Sequence, residues 1–299
     1  MSKYRLTKYL LMMVAATLLS IPGPLAAAED ATVPGISQEL IKGAAIEADY
    51  SLAVTAAELL NKTKQNRRMT LVDVRSPDEF DRLRIPGSIS VPLHAVKTKD
   101  YLKAQPFVLV SAGYEWRDLE TECKRLQQSG FKPSILFGGL VAWQNQGGPV
   151  EGDRLLVAAY KEISTHLFFY EKDYKDIKVF DVSTKPIPDV QKLIPGTVHV
   201  KNIESLLRLL KQNSPTYLTL VLFNESGEQY EKFDAALKKA GIPTAFYLKG
   251  GISGYRHFLE NTILSWKSKA ERVVTLGGCG SCGRVSFEEG QTERLRVAE

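Results

Sequence analysis

Short apolar runs alternate with longer amphipathic stretches along most of this chain, and their spacing predicts alternating strands and helices. Phe107 to Val110 is apolar at every position, the mark of a strand buried on both faces. Leu119, Cys123 and Leu126 recur at i, i+4 and i+7, so a helix is expected from about Asp118 to Gln128, with Gly130 stopping it. Upstream, Ala53 to Gln65 reads as a helix, Thr70 to Val74 as a strand, and Ser88 to Val91 as a further extended run. Ser134 to Phe137 follows as a strand, and Gly138-Gly139 opens a short helix. The order returns with strands at Lys178 to Val182, Thr197 to Val200, Tyr217 to Phe223 and Thr244 to Leu248. Strands separated by helices in this way predict α/β architecture, with parallel sheets flanked by helices.

The recurrence extends to individual residues. Leu71-Val72-Asp73-Val74-Arg75 is matched by Val179-Phe180-Asp181-Val182-Ser183, and Ile85-Pro86-Gly87 by Ile194-Pro195-Gly196. Gly138-Gly139 with Trp143 is matched by Gly250-Gly251 with Tyr255. Landmarks kept in one order at nearly constant spacing indicate a unit of about 110 residues present twice. Glu151 to Tyr174 joins the copies and should contain the opening helix of the second. Past Lys267 the periodicity fades, although Arg272 to Leu276 could form one more strand and Ser286 to Glu299 is a charged end.

Charge order at the N-terminus adds a destination. Lys3, Arg5 and Lys8 precede an apolar run from Tyr9 to Leu19, and Ala26-Ala27-Ala28 lead into Glu29-Asp30. This is the arrangement of a cleavable secretory signal over residues 1–28, and the run falls short of the about 20 residues a membrane span needs. No cysteine lies near the cleavage point, so a lipid anchor is not expected. Cleavage would lower the formal net charge from +5 to +2, which leaves no case for nucleic acid as a partner. The expected location is the periplasm or the exterior, with no stable membrane span after the signal is removed.

Asp73-Val74-Arg75 with Glu79, the Ile85-Pro86-Gly87 turn, and Gly138-Gly139-Leu140-Val141-Ala142-Trp143 resemble the rhodanese superfamily. The second copy is looser, since Ser183 stands where the arginine would be. The resemblance implies two tandem rhodanese-like domains, at 51–152 and 153–266, after an N-terminal segment at 29–50 and before a tail at 267–299. It also implies an activity: transfer of sulfane sulfur from thiosulfate or a related donor to a thiol or cyanide. In that family the active loop lies between a strand and a helix and opens with cysteine, whose thiolate is stabilised by converging backbone N–H groups.

Here the corresponding loops are Ser111-Ala112-Gly113-Tyr114-Glu115-Trp116-Arg117 and Asn224-Glu225-Ser226-Gly227-Glu228-Gln229. Neither serine nor asparagine can carry a sulfur atom, and a hydroxyl without a neighbouring base is a weak nucleophile. Glu115, Glu225 and Glu228 further oppose an anionic substrate by like-charge repulsion. Both loops are therefore expected to lack rhodanese catalysis. Ser111 and Arg117 have the spacing of a phosphatase cysteine and arginine, so phosphate or sulfate binding without hydrolysis is an open alternative to an arginine that simply begins a helix and faces solvent. His94 and His199 read as structural histidines.

Thiol chemistry then falls to the segment Gly277-Gly278-Cys279-Gly280-Ser281-Cys282-Gly283, because Cys123 belongs to a helix core face. Glycine beside each cysteine gives this arm wide conformational freedom. It is similar to the Gly-Gly-Cys-Gly carrier arm of bacterial sulfur-oxidation proteins. Three readings of Cys279 and Cys282 stand: a redox or sulfur-relay pair, a passive disulfide, or a zinc site completed by another chain. The first is the reading taken, with a protein partner in sulfur or thiol exchange, no cofactor and no resident metal. A non-catalytic protein- or anion-binding module is the alternative, and sulfur transfer by the tail cysteine acting over a loop is a third.

Overall fold

The computed structural model describes residue 41 and residues 43–65, 69–212, 216–242 and 245–263. The signal segment, the Arg272 to Leu276 strand and the Cys279/Cys282 arm lie outside the described residues.

Among the described residues, twelve strands form three sheets. They are β1 (Ala53–Val54), β2 (Thr70–Asp73), β3 (Leu83–Arg84), β4 (Ile89–Ser90), β5 (Phe107–Val110), β6 (Pro133–Leu136), β7 (Glu151–Gly152), β8 (Glu162–Ile163), β9 (Ile177–Asp181), β10 (Val198–His199), β11 (Thr219–Phe223) and β12 (Ala245–Leu248). The first sheet has the order β1-β6-β5-β2-β4, and the second, read from its other edge, β8-β12-β11-β9-β10. All pairings in both are parallel. Strands taken in chain order occupy the same places in each sheet. A short antiparallel pair, β3 with β7, ties the end of the first half back onto it.

Burial explains the bare apolar strands. Val108 and Val110 of β5 face one core, Phe107 and Leu109 the other. The first of these cores is shared. It runs from Val108, Leu136 and Trp143 through Val157, Ile163 and Phe168 of the connecting segment to Val221, Phe223 and Phe246 of the second half. The outer faces of the sheets have their own cores, around Leu119, Cys123 and Leu126 in one half and Leu220, Leu222 and Leu237 in the other. Two halves that share a core resist being pulled apart, because separation would expose this apolar surface to water.

Two sequence expectations need correction. Ala53 and Val54 form β1 rather than the start of a helix, because Thr55 and Glu58 make a reciprocal capping box that fixes the helix to Ala56–Lys64. The connecting segment holds two helices, Leu156–Tyr160 and Thr165–Glu171, with β8 between them. Among the described residues no helix is long and apolar enough to cross a membrane.

Candidate functional site

Both loops leave the C-terminal ends of central strands, β5 and β11, and each is gripped by the glycine pair of its own half. Leu140 N–H donates to the Ser111 carbonyl at 3.0 Å, and Ile252 N–H to the Asn224 carbonyl at 2.9 Å. Gly139 and Gly251 adopt φ of +49° and +57°, and a Cβ on either would lie 2.4 or 2.3 Å from the carbonyl oxygen of Ser111 or Asn224. The glycines are thus required both by conformation and by the closeness of loop backbone.

Ser111 is buried at the head of the first loop. The N–H groups of Gly113, Trp116 and Arg117 are engaged by carboxylates of the chain itself. Gly113 N–H donates to a Glu115 carboxylate oxygen at 3.2 Å. Glu171, at the end of helix Thr165–Glu171, accepts from Trp116 N–H at 3.2 Å and from Arg117 N–H at 3.1 and 3.2 Å. Its carboxylate sits where helix Arg117–Gln128 begins and its free N–H groups favour an anion. Burial pushes the Glu171 carboxyl up to about 8, against the opposing pull of the Arg117 N–H and guanidinium and of the Trp116 N–H. The ring of Tyr114 packs against Phe246 of β12 at 5.2 Å, so the second half covers this loop.

Arg117 begins helix Arg117–Gln128, and its side chain is only partly exposed, at 26%. Its guanidinium lies 4.7 Å from the ring of Tyr170 and 5.7 Å from that of Tyr174, with one nitrogen 3.9 Å from Asp173. Its Nε and Nη2 are buried without a hydrogen-bond partner among the described residues.

In the second loop the side chain at the nucleophile position closes the loop itself. Asn224 Oδ1 accepts from Gly227 N–H and Nδ2 donates to the Glu228 carbonyl, both at 2.6 Å. An asparagine bonding backbone a few residues on is a turn device. Glu225 accepts from the Ser253 hydroxyl at 3.0 Å, while Glu228 is exposed.

Cys123 is fully buried, its thiol directed to the Pro133 carbonyl at 3.7 Å and raised to about 12 by burial. A thiol so protonated and enclosed is not a nucleophile at neutral pH. Among the described residues no three His, Cys, Asp or Glu side chains gather as metal ligands.

The histidines differ from one another. His94 is exposed, whereas His199 Nδ1 lies 3.2 Å from Asp181, an acid that is fully buried. Asp181 also accepts from Ser183 N–H at 2.9 Å and Ile187 N–H at 3.1 Å. In the first half the matching acid, Asp73, is held by Arg75 through Nε at 2.9 Å and Nη2 at 2.7 Å. His199 stands opposite Asp181 in the strand register as Ser90 stands opposite Asp73. Histidine therefore replaces, from the neighbouring strand, the arginine that the second half lacks. Sequence reasoning missed this pair and Glu171, since both depend on contacts between separate elements.

Residues 55–146 match the family described as Rhodanese-like domain, and this segment is a rhodanese-like domain. Similar proteins include the adenylyltransferase and sulfurtransferase uba4 of Ogataea parapolymorpha, 31% identical over 84 residues that make up 26% of this chain and 21% of that protein. YtwF of Bacillus subtilis, which carries a sulfurtransferase name, is 27% identical over 100 residues, 32% of this chain and 93% of its own length. Among solved structures, the rhodanese-like domain of an Anabaena protein aligns with TM-score 0.31 and 25% identity over 34% of this chain and 80% of that one. A thiosulfate sulfurtransferase from Pseudomonas aeruginosa aligns with TM-score 0.30 and 19% identity over 68% of this chain and 42% of that one. The chain spans about a fifth of the first curated relative.

Proposed function

We propose that this chain is an exported protein of two rhodanese-like halves whose own loops are catalytically silent, and that it exchanges sulfur or electrons with a protein partner through Cys279 and Cys282. One observation carries the reading: oxygen and amide groups occupy both nucleophile positions, and Asn224 is spent on closing its own loop. The inert setting of Cys123 supports it, because that leaves the tail pair as the thiols free to react. Sulfurtransferase relatives support the choice of sulfur chemistry.

The relay step is simple to write. A thiolate at Cys279 attacks the outer sulfur of a donor persulfide; an S–S bond forms on Cys279, the donor's S–S bond breaks, and the donor thiolate leaves. Cys282 or an acceptor thiolate then attacks one of the two sulfurs now joined at Cys279. If an acceptor attacks the outer sulfur, sulfur passes on; if Cys282 attacks Cys279, hydrosulfide leaves and a disulfide remains.

Ser111→Ala tests the silence of the first loop. The rate of sulfur transfer from thiosulfate to cyanide or to a thiol should match that of the unaltered chain within about twofold, since the hydroxyl takes no part in the reaction. A fall of about a hundredfold would assign the chemistry to the loop and overturn the proposal.

A further inference from the structure

A cavity of about 460 Å³ opens at the start of β9 and β11, the ends of these strands opposite the second loop. One wall is the N-terminal segment, with Glu47 and Tyr50. The other is formed by Lys175 and Asp176, just before β9, and by Thr216 and Tyr217, just before β11. Backbone bonds hold the walls in place. Ile46 N–H donates to the Asp173 carbonyl at 2.8 Å and Lys175 N–H to the Ile46 carbonyl at 3.0 Å, which straps the N-terminal segment to the second half. Thr219 N–H donates to the Asp176 carbonyl at 3.3 Å, which sets Asp176 beside the strand that Tyr217 leads into.

The floor is aromatic. Tyr50 and Tyr217 stack at 4.5 Å with 11° between their rings, and Phe137 packs edge-on to both at 5.8 and 5.3 Å. Tyr217 is half-buried, and among the described residues no cation lies over either tyrosine. The charges around this floor are unequally served. Lys175 is paired with Glu47 at 2.6 Å, and the Lys178 ammonium is turned to the Lys175 carbonyl at 2.9 Å. Asp176 has the Tyr50 hydroxyl as a donor but no ion pair among the described residues. A half-buried carboxylate without a cation, next to tyrosine faces, attracts a planar cation: the ring quadrupole draws the charge and the carboxylate accepts its N–H groups. Guanidinium suits the place better than ammonium, because a flat cation can lie on a ring and still offer its fork to the carboxylate. A space of this size also leaves room for the peptide that carries the head group.

We propose that the groove beside Tyr50 and Tyr217 receives an exposed arginine of a protein partner, with the guanidinium on Tyr217 and its N–H fork on Asp176. The proposal rests on the reading of a protein partner only for the source of the arginine, and it involves no sulfur step.

Titration of the full chain with the blocked tripeptide acetyl-Gly-Arg-Gly-amide, followed by backbone amide shifts in NMR spectra, tests the groove with no thiol or sulfur donor present. Saturable shifts are expected at Ala48, Lys175 and Thr216. Asp176→Asn keeps the side chain's shape and an acceptor for Tyr50, and should weaken binding about tenfold. Tyr217→Phe, which keeps the ring, should bind within about twofold of the unaltered chain, whereas Tyr217→Ala should bind about fivefold more weakly. The corresponding lysine tripeptide should bind about threefold more weakly than the arginine one. Absence of saturable shifts around the groove, or equal affinity of Asp176→Asn and the unaltered chain, would overturn the proposal. Sulfur loading of Cys279 and Cys282 is read separately by mass, so either failure leaves that reading standing.

Discussion

Replacing Arg75 with alanine is expected to remove about 3–5 kcal/mol of folding stability, measured by chemical denaturation, since it strands a charge in the interior. Asp73 is fully buried and the Arg75 side chain is 4% exposed. The guanidinium makes two parallel bonds to the carboxylate and also donates to the Leu83 carbonyl and the Tyr160 hydroxyl. One side chain thus joins β2 to the end of the helix Pro77–Arg82 segment and to the connecting segment. Lysine at the same place would keep the charge but lose the fork, and an intermediate loss is expected. His199→Ala supplies the comparison. Asp181 would keep its two backbone donors, and His199 is 25% exposed, so about 1–2 kcal/mol is expected. A larger loss from His199→Ala than from Arg75→Ala would contradict this account of the two acids.

The second large effect concerns chemistry. With both tail cysteines changed to serine, sulfur transfer to a thiol acceptor should fall to the rate of a protein-free control. Serine is close to cysteine in size, so the change is expected to remove sulfur while leaving the halves as they are. Unfolding transitions of the variant and the unaltered chain should therefore coincide. A variant that keeps its transfer rate would place the reactive group elsewhere.

Some of this structure is written in local sequence and some is not. Phe107–Val110 was legible because a strand packed on both faces must be apolar throughout, and the structure gives it two cores to fill. The helix carrying Leu119, Cys123 and Leu126 was legible for the matching reason of a buried stripe. β1 and β8 were not, because a two-residue strand is too short for a period to appear in it. The empty nucleophile positions could be read by comparing the copies. Asn224 closing its loop had a local cue in Gly227, three residues on. Glu171 had none of that kind, for it lies 54 residues from Arg117 and meets it through the fold. A lone acid after Leu167, Phe168, Phe169 and Tyr170 was the available hint, since a carboxylate in so apolar a helix needs donors when buried.

Intact mass of the full chain after exposure to a persulfide donor, followed by peptide mapping, is the most direct measurement of where sulfur resides. The account predicts added sulfur on the peptide containing Cys279 and Cys282, removable by reduction, with none on Cys123. Added sulfur on Cys123, or a gain that persists in the Cys279→Ser, Cys282→Ser chain, would contradict it.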